Sequence, residues 1–316
     1  MITLLPSNRF VAIQADPLEL LKPLYDTSLM LAFEAQQRGF SLFAYTPSKL
    51  TYDSQGIFAQ GRFFDLDSNG IVSNISHIQR FDLSEAEYVL IRQNPPYDMG
   101  YLTALDILSN LPSCTRVLNS PVALRLWSEK SIPLQFKEMC PRTCITADSD
   151  VIYAFMAEES TIVLKPLYGF GGQDVFILTK EDPNVDAIIE IMCSRYPFGM
   201  IAQAFIKEVN ADDRRLLMVG GLLKSVFKRT PKTGTIRSNM AVGGEPVPCE
   251  ITKADYFIAE QLAPFFIENN IMLSGIDVIG DKLIEVNITS PTGLRVAEKL
   301  YGHNLAKDFW NAAIDK

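Results

Sequence analysis

Two carboxylates and an amide in this 316-residue chain stand at a spacing that can do chemistry: Asp277, Glu285 and Asn287. They lie in the run Gly275-Ile276-Asp277-Val278-Ile279-Gly280-Asp281-Lys282-Leu283-Ile284-Glu285-Val286-Asn287, two alternating stretches around a Gly-Asp turn, which predicts a hairpin. Register matters, because a slip of one residue exchanges the two faces of a strand. A three-residue loop, Gly280 to Lys282, pairs Ile279 with Leu283 and so Asp277 with Glu285. Ile276, Val278, Ile284 and Val286 then share one face, and Asp277, Glu285 and Asn287 the other. A two-residue loop would instead set Asp277 among the aliphatics. Facing carboxylates repel unless something positive sits between them. Oxygen ligands of this kind suit Mg2+, which keeps waters and is shared with phosphates. A solvated polar face on an exposed hairpin is the other reading these residues allow.

A second group begins at Ile162-Val163-Leu164-Lys165-Pro166 and continues through Tyr168-Gly169-Phe170-Gly171-Gly172. A strand lysine among apolar neighbours is costly to bury unless it meets an anion. Glycines just beyond it let backbone N–H groups approach phosphate oxygens. The spacing is neither a Walker loop nor a dinucleotide fingerprint, and a glycine cluster alone is more often a turn. The basic side chains Lys130, Lys165, Arg214, Arg215 and Arg237 together could supply the positive field that phosphoryl transfer needs.

Composition narrows the partners. Hydrophobic residues make up 47% and charged residues 21%, which is right for a folded chain, and the length suits about two domains. A net charge of −8 argues against nucleic acid as a partner, since phosphates need a basic stripe. No window approaches the roughly 18 apolar residues that cross a bilayer, so no membrane partner is expected. Met1 to Asp16 lacks the pattern of a secretory signal. The five cysteines form no CxxC pair and, with two histidines, make a zinc site a poor fit. They read as free thiols in a reducing cytoplasm.

The elements that must position these residues are legible in outline. Phe10 to Ala15 suits a buried strand. Asp26-Thr27-Ser28 then caps a helix that stops at Gly39, and strands follow at Phe40 to Tyr45 and Tyr88 to Arg92. Strands alternating with helices imply an open parallel sheet in the first 120 or so residues. Arg92 would stand at the carboxyl end of a strand, where such sheets bind ligands. After Asn119-Ser120-Pro121 a helical stretch is expected through Arg125 and Lys130. Strands are expected at Thr161 to Lys165, Val175 to Leu178, Met200 to Ile206, Arg215 to Val219 and Leu222 to Phe227, the last three as one antiparallel run. Lys228 to Gly244 is polar and glycine-bearing, and reads as a flap.

The order of these motifs resembles the ATP-grasp ligases and, more closely, the bacterial type of glutathione synthetase. The resemblance rests on Lys130, Leu164-Lys165-Pro166 with its glycine loop, Asp212-Asp213-Arg214-Arg215, Arg237-Ser238-Asn239 and Glu285-Val286-Asn287-Ile288-Thr289-Ser290-Pro291-Thr292-Gly293. It spans nearly the whole chain, the last string being its most specific part. It departs at Gln93 and Asn94, where the family usually carries charges, and at Tyr168, where an acid is common.

The resemblance implies an α/β fold, α+β in its second half. Residues 1–122 would form a substrate-binding domain and 123–316 an ATP-grasp domain with a lid at about 123–200. It implies a cytoplasmic, homo-oligomeric enzyme, a tetramer, joining γ-glutamylcysteine to glycine with ATP and Mg2+, or Mn2+ in its place. Lys130, Lys165, Gly169, Gly171, Gly172 and the segment Gln203, Ala204, Phe205 and Ile206 would hold ATP. Asp277, Glu285 and Asn287 would hold the metal, and Asp26, Ser28, Arg92 and Ser290 the dipeptide. Arg215, Arg237 and Asn239 would serve the reaction. A ligase adding an amino acid to another peptide, or an ATP-binding protein without turnover, are the rival readings.

Overall fold

The computed structural model describes residues 9–23, 26–210, 212–231 and 243–315. Its first half runs β1 (Phe10–Gln14), α1 (Thr27–Gln37), β2 (Ser41–Tyr45), β3 (Leu50–Asp53), β4 (Gly56–Leu66), β5 (Val72–Ile75), β6 (Gln79–Asp82), β7 (Tyr88–Ile91), α2 (Met99–Leu108) and β8 (Arg116–Leu118). Strands β2, β1, β7 and β8 pair in parallel, as their continuous apolar runs require of strands covered on both faces. The alternation of β1 sends Val11 and Ile13 into one core and Ala12 into the other. An antiparallel extension built on β4, which pairs with β2, β3, β5 and β6, makes the sheet mixed at one side. The strand–helix alternation predicted only the parallel centre.

The second half runs α3 (Pro121–Leu126), β9 (Thr143–Thr146), α4 (Ser149–Glu159), β10 (Thr161–Pro166), β11 (Phe176–Thr179), α5 (Val185–Arg195), β12 (Met200–Ala204), β13 (Asp213–Val219), β14 (Leu222–Thr230), β15 (Glu245–Pro248), α6 (Lys253–Glu268), β16 (Leu273–Ile279), β17 (Lys282–Asn287), α7 (Leu294–Tyr301) and α8 (Leu305–Ile314). Strands β11, β10, β12 and β9 form a small antiparallel sheet with its own core, which includes Ile152 of α4 and Ile189 of α5. Strands β15, β14, β13, β16 and β17 form a larger antiparallel sheet. Met200–Ala204 therefore does not join β13 and β14, as its sequence suggested, but lies in the small sheet. The expected helix through Lys130 ends at Leu126, and Lys130 lies in a turn after it.

The halves share their interiors. One core gathers Val89, Leu105, Ile276 and Val286, and the other Leu29, Leu42, Leu217 and Trp310. Asn119, buried after β8, donates to the carbonyls of Leu273 and Ile288, both at 2.7 Å, and accepts from the N–H groups of Met272 and Leu273 at 2.7 and 2.9 Å. Helix α8 returns to the beginning of the chain, where the Trp310 indole donates to the Leu31 carbonyl of α1 at 2.8 Å.

Candidate active site

The hairpin carries the site, by a different construction from the one expected. Ile279 pairs with Lys282, so the turn holds two residues, Gly280 and Asp281. Left alone, that register would turn Asp277 away from Glu285. A β-bulge between these positions leaves Ile284 without a partner and restores the pairing of Asp277 with Glu285 and Gly275 with Asn287. Ile276, Val278 and Val286 go to the core as expected. Ile284 does not; it turns with Glu285 toward a cleft, and Leu283 takes its place inside.

That cleft, about 320 Å³, opens between the two antiparallel sheets. Apolar side chains line it from both: Val163 and Ile177 from the small sheet, Ile279 and Ile284 from the large one. Phe205 and Ile206, just past β12, join them, which leaves room for a flat heterocycle between two apolar walls. Charged groups line the same cleft. Lys130 Nζ pairs with Glu285 at 3.1 Å and donates to the Gly169 carbonyl of the glycine loop. Lys165, buried on β10, donates to Gln203 at 3.1 Å. Burial lowers Lys165 to about 8, reinforced by Lys130 and opposed by Glu285. Gly171 and Gly172 turn the loop with φ of +63° and +72°, the left-handed region that glycine enters without strain.

On the large sheet, Asp277 stands between Arg215 and Glu285 in the cross-strand row. Arg215 grips it with two N–H donors, at 2.6 and 3.2 Å. Gly275 clears the way, since a Cβ there would stand 2.8 Å from the Arg215 guanidinium. Arg229 reaches Asp277 from the other side at 3.3 Å and pairs with Asp213. Burial would raise the Asp277 carboxyl, but the two guanidiniums win and hold it below its ordinary value. Arg214 points the other way, to Asp212 and Asp255, and adds nothing to the cleft.

Of the expected dipeptide residues, Asp26 spends one carboxylate oxygen capping α1, accepting from the N–H groups of Ser28 and Leu29 at 2.6 and 3.1 Å. Arg92 is buried, donating to Ser28 Oγ at 3.2 Å and the Pro291 carbonyl at 3.0 Å, and burial lowers it to about 10. Ser290 donates to the Arg92 carbonyl at 3.2 Å and lines the cleft. Gln93 and Asn94 engage Gln14 and Asp16 at 2.5 and 2.6 Å. Arg237 and Asn239 lie outside the described residues, as does most of the expected flap. Its opening residues, Lys228 to Thr230, are the end of strand β14.

Two charged cleft residues, besides the apolar walls, escaped the sequence reading. Arg229 fell inside the expected flap, yet continuing the strand alternation past Ser225 and Phe227 would have set it on the same face as both. Glu129 carried no signal beyond its place before Lys130. Burial and the nearby Glu285 raise its carboxyl, and it accepts from Thr289.

Among the described residues, no three His, Cys, Asp or Glu are grouped to hold a metal. Two carboxylates and the Asn287 amide are nevertheless a hard-oxygen set that fits Mg2+ completed by waters and phosphate oxygens.

A small sheet facing a larger one, over Lys165 of the small sheet, Lys130 of the turn after α3 and a carboxylate hairpin, defines the ATP-grasp class of ligases. The fold agrees. It is similar to D-cycloserine synthetase DcsG with a TM-score of 0.69 at 13% identity, over 96% of this chain and 99% of that one. It is similar also to the ATP-grasp ligase PsnB, at a TM-score of 0.64 and 15% identity over 97% and 98%. The chain belongs to the prokaryotic glutathione synthetase family. The profile of that family's N-terminal domain matches residues 10–125 and that of its ATP-grasp domain residues 129–302. Relatives named glutathione synthetase include one from Brucella melitensis, 37% identical over 96% of this chain and 97% of its own, and one from Mesorhizobium japonicum, 36% identical over 97% and 98%.

Proposed function

We propose that the chain is an ATP-dependent glutathione synthetase joining γ-glutamylcysteine to glycine. The carrying observation is the cleft itself, where apolar walls from two sheets meet Lys130, Lys165 and the opposed Asp277 and Glu285. The adenine enters the apolar slot beside Gln203, Ala204, Phe205 and Ile206. Lys130 and Lys165 hold the phosphates, and Gly169, Gly171 and Gly172 cover them. Glu285 and Asn287, with Asp277 completing the set, would hold Mg2+ (or Mn2+). When bound, the metal offsets negative charge on the transferring phosphoryl group. Arg92, Ser28, Asp26 and Ser290 form the dipeptide side, with Arg237 and Asn239 of the flap and Arg215 serving the reaction.

The dipeptide carboxylate attacks the γ-phosphorus and ADP leaves. The glycine amine then attacks the acyl phosphate carbon, phosphate departs and the amine loses its proton. Water would destroy the acyl phosphate, so a closing lid has a purpose. The same reading divides the chain near residue 122, places it in the cytoplasm and makes it a homo-oligomer, a tetramer. Family membership supports these points. No described helix is long and apolar enough to cross a membrane.

The test is phosphate release from ATP with γ-glutamylcysteine plus glycine, against other acyl donors and amines. Release that ignores the dipeptide, or needs another donor, sinks the assignment.

A further inference from the structure

Strand β17, which bears Glu285 and Asn287, is the edge of the large sheet. Edge N–H groups need partners from elsewhere. Here they come from the turn region after α3. Leu283 N–H donates to the Met139 carbonyl at 2.8 Å, and Val286 N–H to the Glu129 carbonyl at 3.0 Å. Past the strand's end, the N–H groups of Ile288 and Thr289 donate to Glu129 Oε1 at 2.8 and 2.9 Å, and the Thr289 hydroxyl donates to the same oxygen at 2.8 Å. Glu129 thus holds the chain on both sides of Asn287, by its backbone before and its side chain after. The next residue, Lys130, meets Glu285.

We propose that Glu129 is a positioning residue for the metal ligands: its reach fixes the backbone of 286–289, and so the separation at which Glu285 and Asn287 offer their oxygens. The proposal rests on the metal reading above. It depends on length and on an acceptor oxygen, because backbone donors at two successive residues must converge on one atom. Charge is secondary. Glu129→Asp keeps the charge and shortens the reach by one methylene; Glu129→Gln keeps the reach and an acceptor oxygen.

Mn2+ is titrated into the full chain in excess ADP, and free Mn2+ is followed by electron paramagnetic resonance. The aspartate variant should bind Mn2+ about tenfold or more weaker than the parent, the size of effect expected when a group that orients a metal ligand is lost. The glutamine variant should recover most of that loss. An aspartate variant with parental affinity, or a glutamine variant as weak as the aspartate one, overturns the proposal. If the parent chain itself binds no Mn2+ with ADP, the metal reading fails and takes this one with it. Should the aspartate chain not fold, Thr289→Val removes one of the three donors to Glu129, and unchanged Mn2+ affinity in that variant overturns the proposal equally.

Discussion

On the proposed reading, Lys165 makes nucleotide binding depend on pH. Its folded value near 8 lies below the ordinary lysine value of about 10.4. Between those limits the unfolded chain holds a proton that the folded chain has released, so this residue's share of stability rises with pH across that window. Phosphate reverses the preference by favouring the ammonium. Affinity for ADP should therefore fall as pH climbs past 8, with proton uptake on binding. Calorimetric titration at pH 8.5 in two buffers of different ionisation enthalpy would detect it; equal heats in both count against Lys165 as the phosphate partner. Arg229 makes a second prediction. It is buried between Asp213 and Asp277, and both carboxylates lean on it. Arg229→Met should cost about 3–5 kcal/mol, the usual penalty for stripping one partner from a buried pair. Urea unfolding measures it, and a loss under 1 kcal/mol would mean the carboxylates find other support. Asp277 gives the same slope in a more acid window: its contribution is present above about pH 4 and is lost as pH falls through its lowered folded value.

Among the elements, the hairpin shows what a sequence can and cannot reveal. Alternation of Ile276, Asp277 and Val278 gave the face of β16, and the pairing of Asp277 with Glu285 followed from a three-residue loop that the chain does not form. How the chain achieves that pairing was hidden, because a bulge is a local compromise between turn and register that no residue type announces. The cost of missing it was Ile284, assigned to the core although it walls the cleft. Ile284→Asn should accordingly raise the KM for ATP while leaving the unfolding midpoint nearly unchanged, whereas the same change at core Val286 should unfold the protein. The cap of α1 and the apolar run of β7 were legible in the residues, but Arg92 and Ser28 came together only through the family resemblance; the structure places them in contact. The strands β3, β5 and β6 were not legible, since Tyr52, Asp53, Asn74 and Arg80 give short, half-exposed stretches with little apolar periodicity. Asn119 was visible only as a break in pattern. Its four hydrogen bonds join β8 to β16 and the end of β17, and Asn119→Ala should cost on the order of 3 kcal/mol or more by denaturant unfolding.

For the molecule as a whole, closure is the property to measure. The small sheet has a core of its own, separate from the two cores that the large sheet shares with the first half. One contact already spans the gap: Tyr168, in the glycine loop, stacks on Tyr97 of the first half, with ring centroids 5.6 Å apart and planes 9° from parallel. Tyr168→Ala should loosen the loop and raise the phosphate released per peptide formed, as water reaches the acyl phosphate. A ratio that stays at one phosphate per peptide bond would show that the stack plays no part in sealing the cleft. The cover over strand β17 has a further consequence, for the order in which the protein is made. A bare strand edge invites pairing with other chains, and nascent chains are exposed to that hazard while incomplete. Residues 129–139 leave the ribosome well before 282–287. The guard for the edge is therefore already synthesised when the edge itself emerges, and a circular permutant opened between them would reverse that sequence and should aggregate during synthesis.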